Sequence, residues 1–106
     1  MALKNEWFVE ARLELEETLD YVRREFGERS GEKLYADVVS RVHLLQTFPD
    51  VGHRYKDLFY EGKKVRILHM KKNSIIYCHD DNTVFILAFR NNHRDDSVIA
   101  DIIESR

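Results

Sequence analysis

Asn92-His93-Arg94-Asp95-Asp96 follows directly on the most apolar stretch of the chain, Val84 to Phe89. A charged cluster placed straight after a hydrophobic strand is where a small rigid sheet can present chemistry or a binding surface to a large partner. Upstream, Lys63, Lys64, Arg66, Lys71 and Lys72 crowd into one short region. Arg66 and Arg94 carry the planar forks that could clamp a phosphate, with Lys64 adding charge. His53, His69 and His93 bring side chains of the type that titrates near neutral pH.

Each of these residues also has a plainer role. Arg94 can pair with Asp95, Asp96 or a carboxylate on the first helix, and such an exposed pair is worth under about 1 kcal/mol. His93 can pin the end of a strand through a ring hydrogen bond. Tyr77, in the middle of a strand, reads as a packing residue before it reads as an acid or base. Cys78 reads as an inert buried thiol, because nothing near it in sequence would depress its pKa. Trp7 fits the core beneath the helices. Asp80-Asp81-Asn82 reads as a turn and is too short for a calcium loop.

The overall charge of −2 hides an uneven distribution. Residues 1–50 carry 7 basic and 11 acidic side chains, net −4; residues 51–77 carry 7 and 2, net +5; residues 78–106 carry 3 and 6, net −3. The basic middle third suits phosphate or an acidic protein partner, unless it is an ordinary solvated strand edge. With 106 residues, 43% apolar and 34% charged, one domain spanning 1–106 is expected, with no repeat and no low-complexity segment. No stretch approaches the roughly 20 apolar residues of a membrane span, and the start lacks the order of a secretory signal. A single cysteine allows neither an intrachain disulfide nor a cysteine-based zinc site, so a reducing, cytoplasmic setting fits. No cofactor and no metal are expected.

The elements that must position these residues follow from periodicity. Leu3 to Phe8 suits a first strand. Ala11, Leu15, Leu19, Val22 and Phe26 then give the stripe of one helix face, and Gly27 fits the position past its end. Ser30 is the expected N-cap of a second helix, whose stripe is Leu34, Val38, Val42 and Leu45. Pro49 and Gly52 end that helix in a turn. Strands are expected over Lys63 to Met70, Ser74 to His79 and Thr83 to Arg90, with Tyr55 to Tyr60 left open between a short strand and an irregular arm. The last strand is apolar on both faces and needs cover on both. Val98, Ile99, Ile102 and Ile103, spaced as a short helix capped by Asp95 or Asp96, supply the second cover. The fold class is therefore α+β in the order β-α-α-β-β-β, an antiparallel sheet of about four strands with a helical hairpin on one face and a short C-terminal helix.

This ordered set, with a Phe48-Pro49-x-x-Gly52 turn, a meander containing Val65-Arg66 and Ile75-Ile76-Tyr77, and a closing His93-Arg94-Asp95, resembles the RelE/ParE superfamily of toxins from prokaryotic toxin-antitoxin (plasmid stabilisation) systems. The resemblance covers about residues 2 to 96. It implies a toxin that a cognate antitoxin neutralises by wrapping its working surface. Two branches differ in target: RelE-like members cut messenger RNA on the ribosome without a metal, and ParE-like members poison DNA gyrase. The residues lean to the second. RelE-like members place an arginine three residues before the tyrosine that matches Tyr77, where this chain has Ser74, and an aromatic residue after the arginine that matches Arg94, where this chain has Asp95, Asp96, Ser97 and Val98. Acidic neighbours repel phosphate, and the net negative charge suits RNA binding poorly.

Inhibition of DNA gyrase is thus the expected activity. The alternatives are a ribosome-dependent mRNA endoribonuclease, with Arg66, His93 and Arg94 as its catalytic candidates, and a degenerate, non-toxic interaction module. Lys63, Lys64, Arg66, Lys71, Lys72, Tyr77 and Arg94 form the expected partner-binding set, facing an acidic antitoxin segment that adds a strand to a sheet edge or lays a helix in the groove between helices and sheet. Without that partner, apolar side chains left uncovered would promote self-association, for instance as a homodimer.

Overall fold

The computed structural model describes residues 2–92 and 98–106. A short opening strand, β1 (Lys4–Trp7), leads into two helices, α1 (Val9–Phe26) and α2 (Glu28–Thr47). Four strands follow, β2 (His53–Tyr60), β3 (Lys63–His69), β4 (Asn73–His79) and β5 (Thr83–Asn91), and then a short helix, α3 (Ile99–Glu104). No helix among the described residues is long and apolar enough to cross a membrane.

The helical stripes are those the spacing dictates. Ala11, Leu15 and Leu19 of α1 are buried against Val38, Val42 and Leu45 of α2. The stripe of α1 stops a turn early, because Phe26 is 62% exposed. Gly27, at φ 96°, turns the chain so sharply that α2 begins at the next residue. Ser30 is therefore inside α2 and not its N-cap, and its hydroxyl donates to the Phe26 carbonyl at 3.2 Å. The cap aspartates expected before α3 lie outside the described residues.

The sheet has five strands in the order β1-β5-β4-β3-β2, one more than expected. Tyr55 to Tyr60 belongs to a strand, β2, antiparallel to β3 but slipped in register between Arg54 and Phe59, where Lys56 takes φ 51°. Such a slip twists an edge strand away from pairing with other chains. The sheet is also mixed, not antiparallel throughout: β1 runs parallel to β5, with Lys4 opposite Thr83 and Trp7 opposite Ile86. The reason is in β5 itself. Buried on both faces, it sits inside the sheet with a strand on either side, and the opening segment supplies the second neighbour.

Two cores result, one on each face. Ile75, Tyr77, Val84, Ile86 and Phe89 pack under the helical hairpin, with Trp7 partly buried at the margin. Val65, Ile67, Ile76, Cys78, Leu87 and Ala88 face the other way and are covered by Ile99 and Ile103 of α3. The short helix is thus the second cover that the doubly apolar β5 demands.

Candidate functional site

The Phe48-to-Gly52 turn is held by the strands beneath it. Tyr77 on β4 is fully buried, and its hydroxyl donates to the Pro49 carbonyl at 2.7 Å while accepting the Gly52 N–H at 2.9 Å. Arg66, its cross-strand partner on β3, donates through Nη1 to the Gly52 carbonyl at 2.7 Å and the Asp50 carbonyl at 3.2 Å, and its Nε lies 3.4 Å from the Asp50 carboxylate. His79 Nε2 meets the same carboxylate at 2.7 Å. The hydrogen bond from His79 holds the Asp50 carboxyl below its ordinary pKa, aided by the charges of Arg66 and Lys64 and opposed by desolvation. Burial pushes the Tyr77 phenol up. Tyr77, expected among the partner-binding residues, is instead an internal tie, and Arg66, with 16% of its side chain exposed, is mostly committed to the turn.

The lysines do not form one surface either. Lys63 and Lys64 sit at the start of β3, whereas Lys71 and Lys72 lie in the turn beyond its end. At about 3.3 Å per residue, the strand separates the two pairs by roughly 20 Å. Lys63 lies over the Phe85 ring, 5.3 Å from its centroid, and Lys72 over the Phe26 ring at the end of α1, at 5.8 Å. The two sites face different partners, because Phe85 packs in the α3-side core and Phe26 belongs to the helical hairpin. His93 and Arg94 lie outside the described residues.

A polar row occupies the end of the sheet face opposite the hairpin. His69 and Ser74 face each other across β3 and β4, and Ser74 faces Arg90, which is buried, across β4 and β5. Asn92 donates through Nδ2 to the Met70 carbonyl at 3.0 Å, which turns its Oδ1 toward the Ser74 hydroxyl that donates to it. The Ser74 oxygen is left to accept from His69 Nδ1, 2.7 Å away. The position that carries arginine in RelE-like members is thus occupied by a hydroxyl in a closed relay.

A groove of about 280 Å³ opens on the hairpin side, between α1, α2 and β1. Its walls are Trp7, Leu15, Tyr35, Val38 and Val42, with Arg12 and His43 as polar members. Tyr35 is 53% exposed beside it, so the groove presents aromatic and aliphatic surface to solvent next to an edge strand.

With this geometry in hand, the family described as the ParE toxin of the type II toxin-antitoxin system parDE matches residues 6–96. The chain belongs to the ParE toxin family. A chain of the solved structure "Chromosomal ParDE TA system from P. aeruginosa" superposes with a TM-score of 0.67 at 21% identity, over 85% of this chain and 96% of that one. At that identity the likeness speaks for the fold. No curated protein sequence matches. The ParE reading accounts for the order of elements that sequence alone could follow, yet it says nothing of Asp50, His79 or Asn92. For Ser74 and His79 the sequence carries one faint signal, polar side chains set within an otherwise apolar strand; Asp50 and Asn92 lie in turns and carry none.

Proposed function

We propose that this ParE-family toxin arrests growth by inhibiting DNA gyrase and is held inactive by a cognate antitoxin. One observation carries the choice of target over RNA cleavage. Arg66, the described member of the nuclease candidates, spends its guanidinium on the Gly52 and Asp50 carbonyls, and Ser74 stands bonded to Asn92 where a phosphate-binding arginine would be needed. Metal-independent cleavage of RNA requires cations aimed at the phosphate in the transition state, and a guanidinium that engages two backbone carbonyls and the Asp50 carboxylate is oriented toward the turn instead.

The antitoxin contact is proposed for the hairpin side. An amphipathic helix laid along the groove of Trp7, Leu15, Tyr35 and Val38 would bury its apolar stripe, and acidic residues on its flank would meet Arg12. The similar structure belongs to a "Chromosomal ParDE TA system", which supports an antitoxin as the partner.

Expression from a tightly controlled promoter, with DNA synthesis and protein synthesis followed separately, tests the proposal. Loss of DNA synthesis first, and inhibition of purified gyrase in a supercoiling assay, are the expected results. Prompt loss of translation with cleaved messages would favour the nuclease, and normal growth would favour a non-toxic interaction module.

A further inference from the structure

The geometry points to a divalent transition-metal site, of the zinc class, formed by His53 on β2 and His69 on β3. His69 lies two residues from Ile67 on the same strand and His53 stands opposite Ile67 in register, so both rings rise from the same face of the sheet. Their centroids are 5.0 Å apart with the ring planes at 33°. Metal–imidazole bonds of about 2.0–2.1 Å put each ring centroid roughly 3.2 Å from a shared ion, and at a tetrahedral angle two such centroids stand about 5 Å apart. The observed centroid separation matches that of a chelating pair.

The relay behind His69 fixes which nitrogen is offered. Because Asn92 Oδ1 accepts the Ser74 proton, the Ser74 oxygen accepts from His69 Nδ1–H, and the lone pair of the neutral ring is left on Nε2. An imidazole whose other nitrogen donates to a fixed acceptor is the usual state of a metal-bound histidine, since the outer contact sets tautomer and ring orientation. His53 is exposed and, among the described residues, its side chain makes no hydrogen bond, so its ring is available to turn toward the same ion. No third histidine, cysteine or carboxylate converges on the pair among the described residues, so two coordination positions remain for water or a further donor. Sequence singles out both histidines as side chains of the type that titrates near neutral pH but does not pair them as ligands, because they follow no ligand spacing. A bound ion would clamp the first residues of edge strand β2 to β3, just ahead of the register slip that begins at Arg54.

The test uses the full chain without a purification tag, titrated with zinc chloride by calorimetry and followed by thermal unfolding. One zinc per chain is expected, with a rise in Tm that grows with zinc concentration. His53→Ala and His69→Ala should each weaken zinc at least about tenfold, and Ser74→Ala, which touches no ion, should weaken it by about 10-fold or more through loss of the relay. His43→Ala, in the hairpin groove, should bind as the parent does, and magnesium should not bind. Equal unfolding midpoints in EDTA establish that the exposed histidine variants fold. Parental zinc affinity in His53→Ala or His69→Ala, or an equal loss in His43→Ala, would overturn the site; parental affinity in Ser74→Ala would overturn the positioning role of the relay.

Discussion

The Tyr77 hydroxyl bridges the Pro49 carbonyl and the Gly52 N–H, at 2.7 and 2.9 Å, so a side chain of the central sheet closes the loop that follows the second helix. Tyr77 is fully buried, and its oxygen satisfies the buried Gly52 N–H and the part-buried Pro49 carbonyl. Tyr77→Phe keeps the ring and leaves both groups without a partner, which should cost about 1–3 kcal/mol. Urea unfolding followed by far-UV circular dichroism measures it; a change within error would show that the loop finds other partners.

Gly52 is part of the same joint for a different reason. A Cβ there would stand 2.6 Å from the Tyr77 hydroxyl and 2.8 Å from the Ile67 carbonyl, both fixed atoms, although the glycine takes no left-handed conformation. Gly52→Ala should therefore destabilise by overpacking, by about 1–3 kcal/mol. Combined with Tyr77→Phe, it should cost less than the sum of the two, because each loosens the same joint. An additive double variant, read by the same urea titration, would separate the two effects.

What sequence could reach is what depends on local periodicity. The helical stripes, the meander and the need for a second cover over β5 all follow from spacing of three to four, spacing of two, and an apolar run with no polar face. What it could not reach depends on partners distant along the chain. Tyr77 meets Pro49 and Gly52, Asn92 meets Ser74, and β1 joins β5 across the whole fold, none of which leaves a periodic trace. The placement of the lysines was out of reach for the same reason. Counted along the chain they are one basic segment, but a strand of seven residues carries its two ends to different places.

Acid should loosen the turn through Asp50. Its carboxyl pKa lies below the usual 3.8, chiefly because His79 hydrogen bonds to it. A carboxylate depressed in the folded state stabilises above its unfolded pKa, and that contribution is lost as pH falls through the folded value, which places the loss below about pH 4. Asp80, lowered by the N–H groups of Asn82 and Thr83, acts on the same limb. Asp50→Asn should make the urea midpoint less sensitive to pH between about 5 and 2.5, with a residual slope that Asp80→Asn then reduces. An unchanged slope in the double variant would place the acid response elsewhere.

Cys78 should be silent to thiol reagents while the fold holds. Its side chain is fully buried, and burial pushes the thiol up to about 11. At pH 8 only about a thousandth of it is then thiolate, and that fraction is shielded from solvent. Reaction with Ellman's reagent should be slow in native buffer and fast in denaturing urea. Rapid modification of the native chain would mean that the α3-side core opens readily.

Among the described residues the upper half of β5 has no strand on its β1 side, because β1 ends at Trp7. Two side chains take the missing strand's place. Arg106 Nε donates to the Leu87 carbonyl at 2.7 Å, and Glu14 on α1 accepts the Phe89 N–H at 3.2 Å. The two are themselves joined, with Arg106 Nη2 2.9 and 3.0 Å from the Glu14 oxygens and the arginine side chain 8% exposed. Because the pair is partly buried and each member also holds backbone, Glu14→Ala should cost more than a surface ion pair, about 1.5–3 kcal/mol. Arg106→Ala should cost a similar amount, and the double variant little more than either, since each single change already breaks the same bridge. Amide exchange at Phe89 is the sharper readout. It should quicken in both single variants while exchange in the β3–β4 pairing stays slow, and equal quickening in β3 would mean that the bridge supports the whole sheet, not this one edge.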